Sequence, residues 1–360
     1  MKYALLAGAL FIAACAGAPL QRPGDAALAM ARRAEAAGRH FEAARAYDQA
    51  STEVASDKDR SVYALAAARE TARSGDRESA QRRYEAMAHL NLPDAPAALM
   101  RLAQLRERAG DEPGFRAFLK EILHTQPHSG ISTRALLLLV GDAKDPSLCS
   151  FRLEEMHAQV QAAAAPELVE LERYLLAQCA DAQGRGKEAL AMYMQIATDY
   201  PPPSGHYNTE SLMRAAELQQ SYADYRGAIE TLRRLLAQRE HAQTIGSYEK
   251  PSYAIAQSRI ATLLDTQLHD TRGAISAWAT LYNDYPYSRA RDEGAFEAAL
   301  LERRGGDTQA ACAWLTHLKK DQPTSRYVRC IPLWCQATAT TTCSDYLNVR
   351  WQTAAPEKQQ

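Results

Sequence analysis

The residues of this chain best suited to chemistry are seven cysteines, and one of them, Cys15, stands apart near the start. It closes an apolar run, residues 4–14, before which Lys2 is the one charged side chain. A basic start, an apolar core of about 7–15 residues and small residues at the cut are typical of a secretory signal. Glycines and Pro19 break the run, which falls short of the roughly 20 residues that a spanning helix needs. We therefore predict a secretory signal rather than a membrane-spanning anchor or a soluble protein with an apolar start.

The tetrapeptide at residues 12–15, Ile-Ala-Ala-Cys, resembles the lipobox of bacterial lipoproteins. This resemblance implies a lipoprotein signal peptide of residues 1–14, cleavage before Cys15, a diacylglycerol on the cysteine sulfur and a lipidated linker over residues 15–24. Two or more acyl chains anchor a protein stably to a membrane. Ala16 stands where proteobacterial lipoproteins of the inner membrane carry aspartate. The resemblance therefore implies an outer-membrane lipoprotein that faces the periplasm.

Six further cysteines are an even number in a compartment that should be oxidising, so disulfides are possible. Two of them flank one predicted helix, and the other four crowd the C-terminal region: Cys149 and Cys179, then Cys312, Cys330, Cys335 and Cys343. Four cysteines allow three pairings. Free buried thiols and a zinc site are the alternatives, although the spacing lacks the Cys-x2-Cys knuckle of common zinc sites.

Motifs of the common enzyme classes are missing from the sequence. It contains no His-Glu-x-x-His zinc helix, no Gly-x-Ser-x-Gly elbow and no Gly-x4-Gly-Lys-Ser/Thr phosphate loop. His124 and His128 are four residues apart, but Pro127 separates them, so we expect two solvated histidines rather than a metal site. We predict no catalytic residue, cofactor or metal. The 42 basic and 43 acidic residues leave no basic field to hold nucleic acid.

The elements that must position any site are helices. Alanine, leucine, arginine, glutamate and glutamine dominate the sequence, and the alternation typical of strands occurs nowhere at length. Amphipathic segments pair across short turns, which predicts an all-α chain of repeated helical hairpins. The predicted pairs are residues 25–37 with 41–54, 62–73 with 78–90, 97–109 with 113–124, 167–182 with 187–198, 210–222 with 227–239, 252–268 with 273–282, and 291–304 with 308–320.

A small residue recurs early in the second helix of most pairs, where it would let the two helices approach closely. The markers are Ala43, Ala80, Ala189, Ala228, Ala274 and Ala310. Residues 186–193 and 273–282 carry such a marker and an aromatic residue, and each segment is followed by Asp-Tyr-Pro. These positions resemble the tetratricopeptide repeat, which has two antiparallel helices and a period of about 34 residues. The resemblance implies a right-handed solenoid of about seven hairpins. A compact bundle or a coiled coil is the alternative, but frequent glycine and proline disfavour continuous heptads.

The repeat divides the mature chain into four segments. We predict N-terminal hairpins at 25–127, an irregular helical connector at 128–166, C-terminal hairpins at 167–323 and a cysteine-containing tail at 324–360. The helical pattern fades after Pro323, so we expect the tail to lack regular structure apart from its cysteines. The apolar segment 331–334 nevertheless favours docking onto the last hairpin or onto a partner.

In tetratricopeptide solenoids the first helix of each hairpin lines the concave face, so its polar residues are candidate groove contacts. Arginine and glutamine there could bind carboxylates and backbone amides of an extended peptide, or they could be ordinary solvated residues. The candidates are Arg69, Arg101, Gln104, Arg108, Arg173, Gln178, Arg214, Gln219 and Arg259. We interpret the tyrosines at repeat positions, such as Tyr193 and Tyr282, mainly as packing between hairpins.

These features predict a non-enzymatic scaffold, lipid-anchored at the outer membrane, that binds protein partners of the cell envelope. The combination resembles the lipoprotein subunits of the outer-membrane β-barrel assembly machine, the repeat protein of the Tol–Pal system and the lipoproteins that pilot secretins. The alternative is an envelope enzyme, such as one acting on peptidoglycan. Its acids would come from Asp142, Asp145, Glu154 and Glu155 in the irregular segment. A lipid-anchored signalling or carbohydrate-handling adaptor is a third hypothesis.

Overall fold

The computed structural model describes residues 22–90, 92–141, 149–239, 251–336 and 343–355. Within these ranges every regular element is helical and no strand occurs, which confirms the predicted all-α hairpin repeat. The first seven helices are α1 Asp25–Ala36, α2 His40–Glu53, α3 Asp57–Arg73, α4 Arg77–Ala88, α5 Ala95–Arg108, α6 Glu112–Thr125 and α7 Gly130–Val140. Cys15 and residues 1–14 lie outside the described ranges.

The second half of the chain continues the same pattern. Its longer helices are α8 Cys149–Ala163, α9 Pro166–Ala182, α10 Gly186–Asp199, α11 Asn208–Ser221, α12 Tyr225–Ala237, α13 Pro251–Thr266, α14 Thr271–Asp284, α15 Arg291–Arg304 and α16 Thr308–Asp321. A 3₁₀ helix, Val328–Cys330, and two short helices, α17 Ile331–Gln336 and α18 Asp345–Thr353, follow.

The chain forms two compact units that meet in sequence between Leu139 and Val140, inside the predicted connector 128–166. In each unit, helices that follow one another along the chain pack together: α1 to α6 in the first, and α8 to α12 and α13 to α16 in the second. The described part of the connector, residues 128–141 and 149–166, contains α7 and α8, and α8 packs on α9 as the hairpin helices pack on one another. Short side chains, mostly alanine and leucine, fill the core between helices.

The turns inside the hairpins share one backbone device. In seven of the described turns, the residue just before the N-cap of the second helix has positive φ, a conformation that glycine adopts without steric cost. These residues are Gly38, Gly75, Gly110, Gly184, Ala223, His269 and Gly306. Two of them are not glycine: φ is 58° at Ala223 and 53° at His269. The repeat therefore imposes a left-handed turn residue even where the side chain opposes it.

Aspartate caps most of these second helices. Its carboxylate accepts the backbone N–H three residues later, which satisfies one of the donors left free at a helix start. The capping residues are Asp76, Asp111, Asp224, Asp270 and Asp307. The distances from the backbone nitrogen to the aspartate Oδ1 lie between 2.8 and 3.0 Å. Each second helix is thereby fixed in register relative to its turn.

The close-approach position lies four residues after the N-cap in every second helix except α6, where Phe115 stands there. Ala43, Ala80, Ala189, Ala228 and Ala274 occupy it and are at most 1% exposed. In the last hairpin the same position after Asp307 is Ala311, which is fully buried, whereas Ala310 is half-buried. The predicted marker Ala310 was therefore wrong by one residue.

The prediction that the tail lacks regular structure was wrong for its described residues, 324–336 and 343–355. The 3₁₀ helix, α17 and α18 pack on the last hairpin in one apolar cluster. Phe296 of α15 stacks on Tyr327 with ring centroids 4.3 Å apart and on Trp334 at 5.4 Å. Trp334 stacks in turn on Trp351 at 5.0 Å. The apolar segment 331–334 thus docks onto the last hairpin, and its large side chains close the apolar end of the repeat.

Candidate functional site

Three of the six predicted groove arginines pair with acids of a neighbouring hairpin. Arg69 of α3 lies 3.3 Å from Glu35 of α1. In the second unit, Arg214 of α11 donates to Asp181 of α9 at 2.5 Å, and Arg259 of α13 donates to Glu217 of α11 at 2.8 Å. These cations neutralise carboxylates within the protein and tie one first helix to the next.

Two further pairs extend this arrangement and were missed in the sequence. Arg304 of α15 donates to both oxygens of Asp265 on α13, at 2.8 and 3.1 Å. Arg350 of α18 makes two bonds to Glu297 on α15, at 2.7 and 2.9 Å. The partners of these arginine–acid pairs are 33–42 residues apart, close to one repeat, and that spacing was the signal that could have identified the Arg304–Asp265 pair.

The remaining groove candidates have varied surroundings. Arg101 donates to Gln104 at 2.9 Å, and Arg108 is exposed at the end of α5. Arg173 donates to Asp199 at 2.7 Å and lies 5.6 Å from the centre of the Tyr200 ring. The Gln219 side-chain oxygen accepts from Thr231 at 2.8 Å. Among the nine candidates, Gln178 and Arg214 line a recess.

This α9–α11 pocket has a volume of about 470 Å³. Its lining comes from three consecutive helices: Tyr174, Gln178, Asp181 and Ala182 from α9, Tyr193 from α10 and Arg214 from α11. Tyr174, Gln178 and Ala182 recur every four residues, so α9 presents them on one face. The hairpin of α9 and α10 and the packing of α11 on α10 bring the other two side chains to that face.

Aromatic rings form one wall of the α9–α11 pocket. Tyr174 stacks on Tyr207 with centroids 4.6 Å apart, and the Tyr193 ring lies 5.9 Å from Tyr174 at an angle of 60°. The loop before α11 is held by Glu170, a carboxylate only 1% exposed, which accepts the backbone N–H of His206 at 3.1 Å and of Tyr207 at 2.7 Å. Because Glu170 also belongs to α9, the aromatic wall and the polar lining share one rigid support.

Burial and charge both act on the polar groups of the pocket. Desolvation raises the pKa of Tyr193, whose side chain is fully buried, and also that of Tyr174. Burial opposes the charge on Arg214, but hydrogen bonds to Asp181 and Glu217 outweigh it and raise the pKa of the guanidinium. The pocket therefore presents neutral phenols and a permanently charged arginine that is already paired with two carboxylates.

A second pocket, of about 420 Å³, lies between α13, α15 and α18. The pairs Asp265–Arg304 and Glu297–Arg350 line it, together with Trp278. Burial raises the pKa of Glu297, against the lowering effect of Arg350. The charged groups of this second pocket are mostly paired with one another, and these pairs hold α18 and the neighbouring helices together.

The six cysteines after Cys15 form three disulfides, Cys149–Cys179, Cys312–Cys335 and Cys330–Cys343. The first ties the start of α8 to α9. The other two join the last hairpin, the 3₁₀ helix, α17 and the segment before α18. The four C-terminal sulfurs are all bonded to one another in pairs, so they are not a zinc site in this structure.

The acids and histidines that we considered for catalysis or metal binding do not form a cluster in the described part of the chain. Glu154 and Glu155 lie on α8, whereas Asp142 and Asp145 lie outside the described residues. His124 is in the last turn of α6, and His128 follows that helix. Across the described ranges, no group of three or more His, Cys, Asp or Glu side chains could hold a metal ion. No helix among those ranges combines the length and hydropathy needed to cross a membrane.

One comparison with known proteins supports the repeat. The tetratricopeptide repeat family matches residues 173–202, which contain most of α9 and all of α10. No curated protein matches the sequence. Among solved structures, the chain is similar to the TPR domain of P58(IPK), at 13% identity over 92% of this chain and 97% of that chain, with a TM-score of 0.25. At that score the likeness carries no argument, so the assignment depends on the helices and on the matched repeat. Repeats of this type generally mediate protein–protein interactions.

Proposed function

We propose that this protein is a non-enzymatic scaffold of a bacterial envelope, which binds protein partners through the α9–α11 face. The observation that carries the proposal is the α9–α11 pocket, an open recess of about 470 Å³, five of whose six lining residues belong to the segment that matches the tetratricopeptide repeat. A stacked tyrosine pair, a glutamine and an arginine supply flat apolar surface and hydrogen-bonding groups, which together suit a peptide segment.

The three disulfides support a location outside the cytoplasm. Disulfides form and persist in oxidising compartments and are rare where thiol reductants keep cysteines reduced. All six cysteines after Cys15 pair with one another, so none of them is left as a disulfide partner for Cys15. This distribution is what we expect if Cys15 carries the lipid and the rest of the chain lies in the periplasm.

The proposed location is the outer membrane, with the repeat facing the periplasm. Its support is the lipobox-like tetrapeptide at residues 12–15 and the alanine at position 16. A tethered helical repeat could hold several subunits of an assembly or secretion complex near the membrane without any catalytic step. We therefore propose partners in such a complex and no nucleic acid.

The test of this proposal uses two variants expressed in the native cells. Cys15→Ser removes the acceptor sulfur, so we expect loss of labelling by an alkyne fatty acid and either an unprocessed precursor or release from membranes. Ala16→Asp is the matched control, because it keeps the acceptor and should remain labelled while moving to the inner-membrane fraction. Undiminished fatty-acid labelling of Cys15→Ser would contradict the anchor.

A further inference from the structure

The hydroxyl of Tyr193 is a buried polar group without an acceptor. The Tyr193 side chain is fully buried, yet it lines the α9–α11 pocket. Its neighbour Arg214 can only donate hydrogen bonds, so it cannot accept the phenolic proton. No other described side chain or carbonyl accepts that proton. Buried hydroxyls nearly always have a partner, because leaving one unbonded costs free energy. Tyr193 is thus poised to donate to a molecule in the pocket.

The charges around the pocket select against an ionic occupant. Arg214 already donates to Asp181 at 2.5 Å and to Glu217 at 2.6 Å. Glu217 in turn accepts from Arg259 at 2.8 Å. These two arginines and two carboxylates balance, so an incoming anion would meet no unpaired cation among them. An incoming ammonium or guanidinium has no lone pair with which to accept from Tyr193.

A neutral amide carries no charge, and its carbonyl oxygen can accept the hydrogen bond from Tyr193 while its N–H donates to another group. Gln178, on the same face of α9 as Tyr174, adds a side chain that can both donate and accept. The flat face of an amide also suits the neighbouring tyrosine rings.

We infer that Tyr193, with Gln178 beside it, forms a subsite for a neutral amide group of a partner polypeptide, supplied by an Asn or Gln side chain or by the peptide backbone. This inference rests on the proposed function, because it names the chemistry that the α9–α11 face recognises. Tyr193 donates from its hydroxyl to the amide carbonyl, a hydrogen bond that a cationic side chain cannot accept, and the paired arginines offer no free cation to an anionic one.

Saturation-transfer NMR of the folded chain tests the inference with four capped peptides of sequence acetyl-Ala-Xaa-Ala-Ala-amide, where Xaa is Gln, Glu, Lys or Ala. Tyr193→Phe removes one hydroxyl and keeps the ring. We expect it to weaken the Gln peptide about three- to tenfold, the usual effect of one lost hydrogen bond. The melting temperature should change little, because the phenolic proton of Tyr193 has no acceptor in the free protein.

Tyr253→Phe is the matched control. Tyr253 is another tyrosine of the second unit, 1% exposed, and it lies in the core rather than in the pocket lining. Its loss of a hydroxyl should leave peptide binding unchanged.

Each outcome decides the inference. Preference for the Gln peptide over the Ala peptide assigns the subsite to side-chain amides, whereas equal binding of the two, both weakened by Tyr193→Phe, assigns it to the backbone. The inference is overturned if Tyr193→Phe leaves every peptide unchanged, if the Glu or Lys peptide binds best, or if no peptide binds at millimolar concentration. The proposed function would survive any of these results, because crosslinking to partners in cells does not depend on the Tyr193 hydroxyl.

Discussion

Arg214 on α11 donates a hydrogen bond of 2.5 Å to Asp181 on α9, 33 residues earlier in the chain. The pair joins the first helices of two consecutive hairpins, as Arg304 and Asp265 do at a separation of 39 residues. Such pairs fix how far one hairpin is displaced relative to the next. The arginines of this face therefore serve the repeat itself, and the groups left for a ligand are the uncharged ones beside them.

Arg304→Gln tests the stabilising effect of these pairs between hairpins. Asp265 has a side chain only 16% exposed, so removing its bidentate partner leaves a mostly buried carboxylate without compensation. Arg304 itself is about half exposed, which limits the loss to roughly 1 kcal/mol of unfolding free energy. Urea denaturation measures this loss. Arg39→Gln is the control, because Arg39 and Glu42 are both more than half exposed and should contribute under about 0.5 kcal/mol. Equal effects of the two substitutions would refute a special role for the pairs between hairpins.

His269→Gly should stabilise the protein. His269 occupies the left-handed turn position at φ 53°, where a side chain costs about 1–2 kcal/mol and glycine does not. The greater freedom of glycine in the unfolded chain reduces the net gain to about 0.5–1 kcal/mol. Thermal unfolding should show a higher midpoint. Gly110→Ala is the converse control: it places a side chain at the equivalent position, φ 73°, and should lower the midpoint. A lower midpoint for His269→Gly would show that the histidine side chain stabilises its turn.

Leucine substitutions at two adjacent positions test the register of the last hairpin. Ala311 is fully buried four residues after the Asp307 cap, so Ala311→Leu should cost about 1–3 kcal/mol through overpacking. Ala310→Leu adds the same atoms to a half-buried position and should cost less than about 0.5 kcal/mol. Chemical denaturation of both variants gives the comparison. A larger loss of unfolding free energy for Ala310→Leu than for Ala311→Leu would instead support Ala310 as the close-approach position, as predicted from the sequence.

Stability should depend on Glu35 in mildly acidic solution. The hydrogen bond from Tyr47, at 2.6 Å, and the charges of Arg69 and Arg73 outweigh burial and hold the pKa of Glu35 below its ordinary value of 4.5. A carboxyl whose pKa is depressed by folding stabilises the protein above its unfolded pKa, and this contribution is lost as the pH falls through the folded value. Glu35→Gln should therefore be less stable than the native chain at pH 7, with the difference shrinking below pH 4.5.

Denaturation at a series of pH values measures that difference. Glu78→Gln is the control, because the Glu78 side chain is 89% exposed and its nearest cation, Arg82, is 3.9 Å away. It should change stability little at any pH. A Glu35→Gln deficit that stays constant as the pH falls well below 4.5 would contradict the electrostatic account, because the carboxyl then binds a proton first in the unfolded chain and the advantage of the native chain must decline.

The local sequence pattern was enough to predict the helices, but it could not predict contacts between residues that are distant in the chain. Ala310 and Ala311 are adjacent alanines, so composition cannot choose between them, whereas the capping Asp307 fixes the count from the helix start. The tail was mispredicted because its helices are short and depend on tertiary stacking of Trp334 and Trp351. Short helices have little stability of their own, so their sequence shows no extended period.

In the candidate site, too, some residues were predicted from the sequence, whereas their contacts were not. Gln178 and Arg214 were predicted as groove residues from their place on first helices, and both line the α9–α11 pocket. The sequence could not predict the pairing of Arg214 with Asp181, because the pairing depends on how far one hairpin is displaced relative to the next. Tyr193 was interpreted as packing, and its ring is indeed buried. The missing acceptor of its hydroxyl is a property of the assembled pocket alone.

The most direct test of the account is site-specific photocrosslinking in the native cells, with a benzophenone amino acid at Gln178 inside the α9–α11 pocket. Lys187, an exposed residue of α10 outside the pocket lining, carries the probe in the control. The account predicts that the Gln178 probe captures a protein of an envelope assembly or secretion complex from washed outer membranes, and that the Lys187 probe does not. Identical products from both positions, or only lipid and peptidoglycan fragments at Gln178, would contradict a partner-binding scaffold.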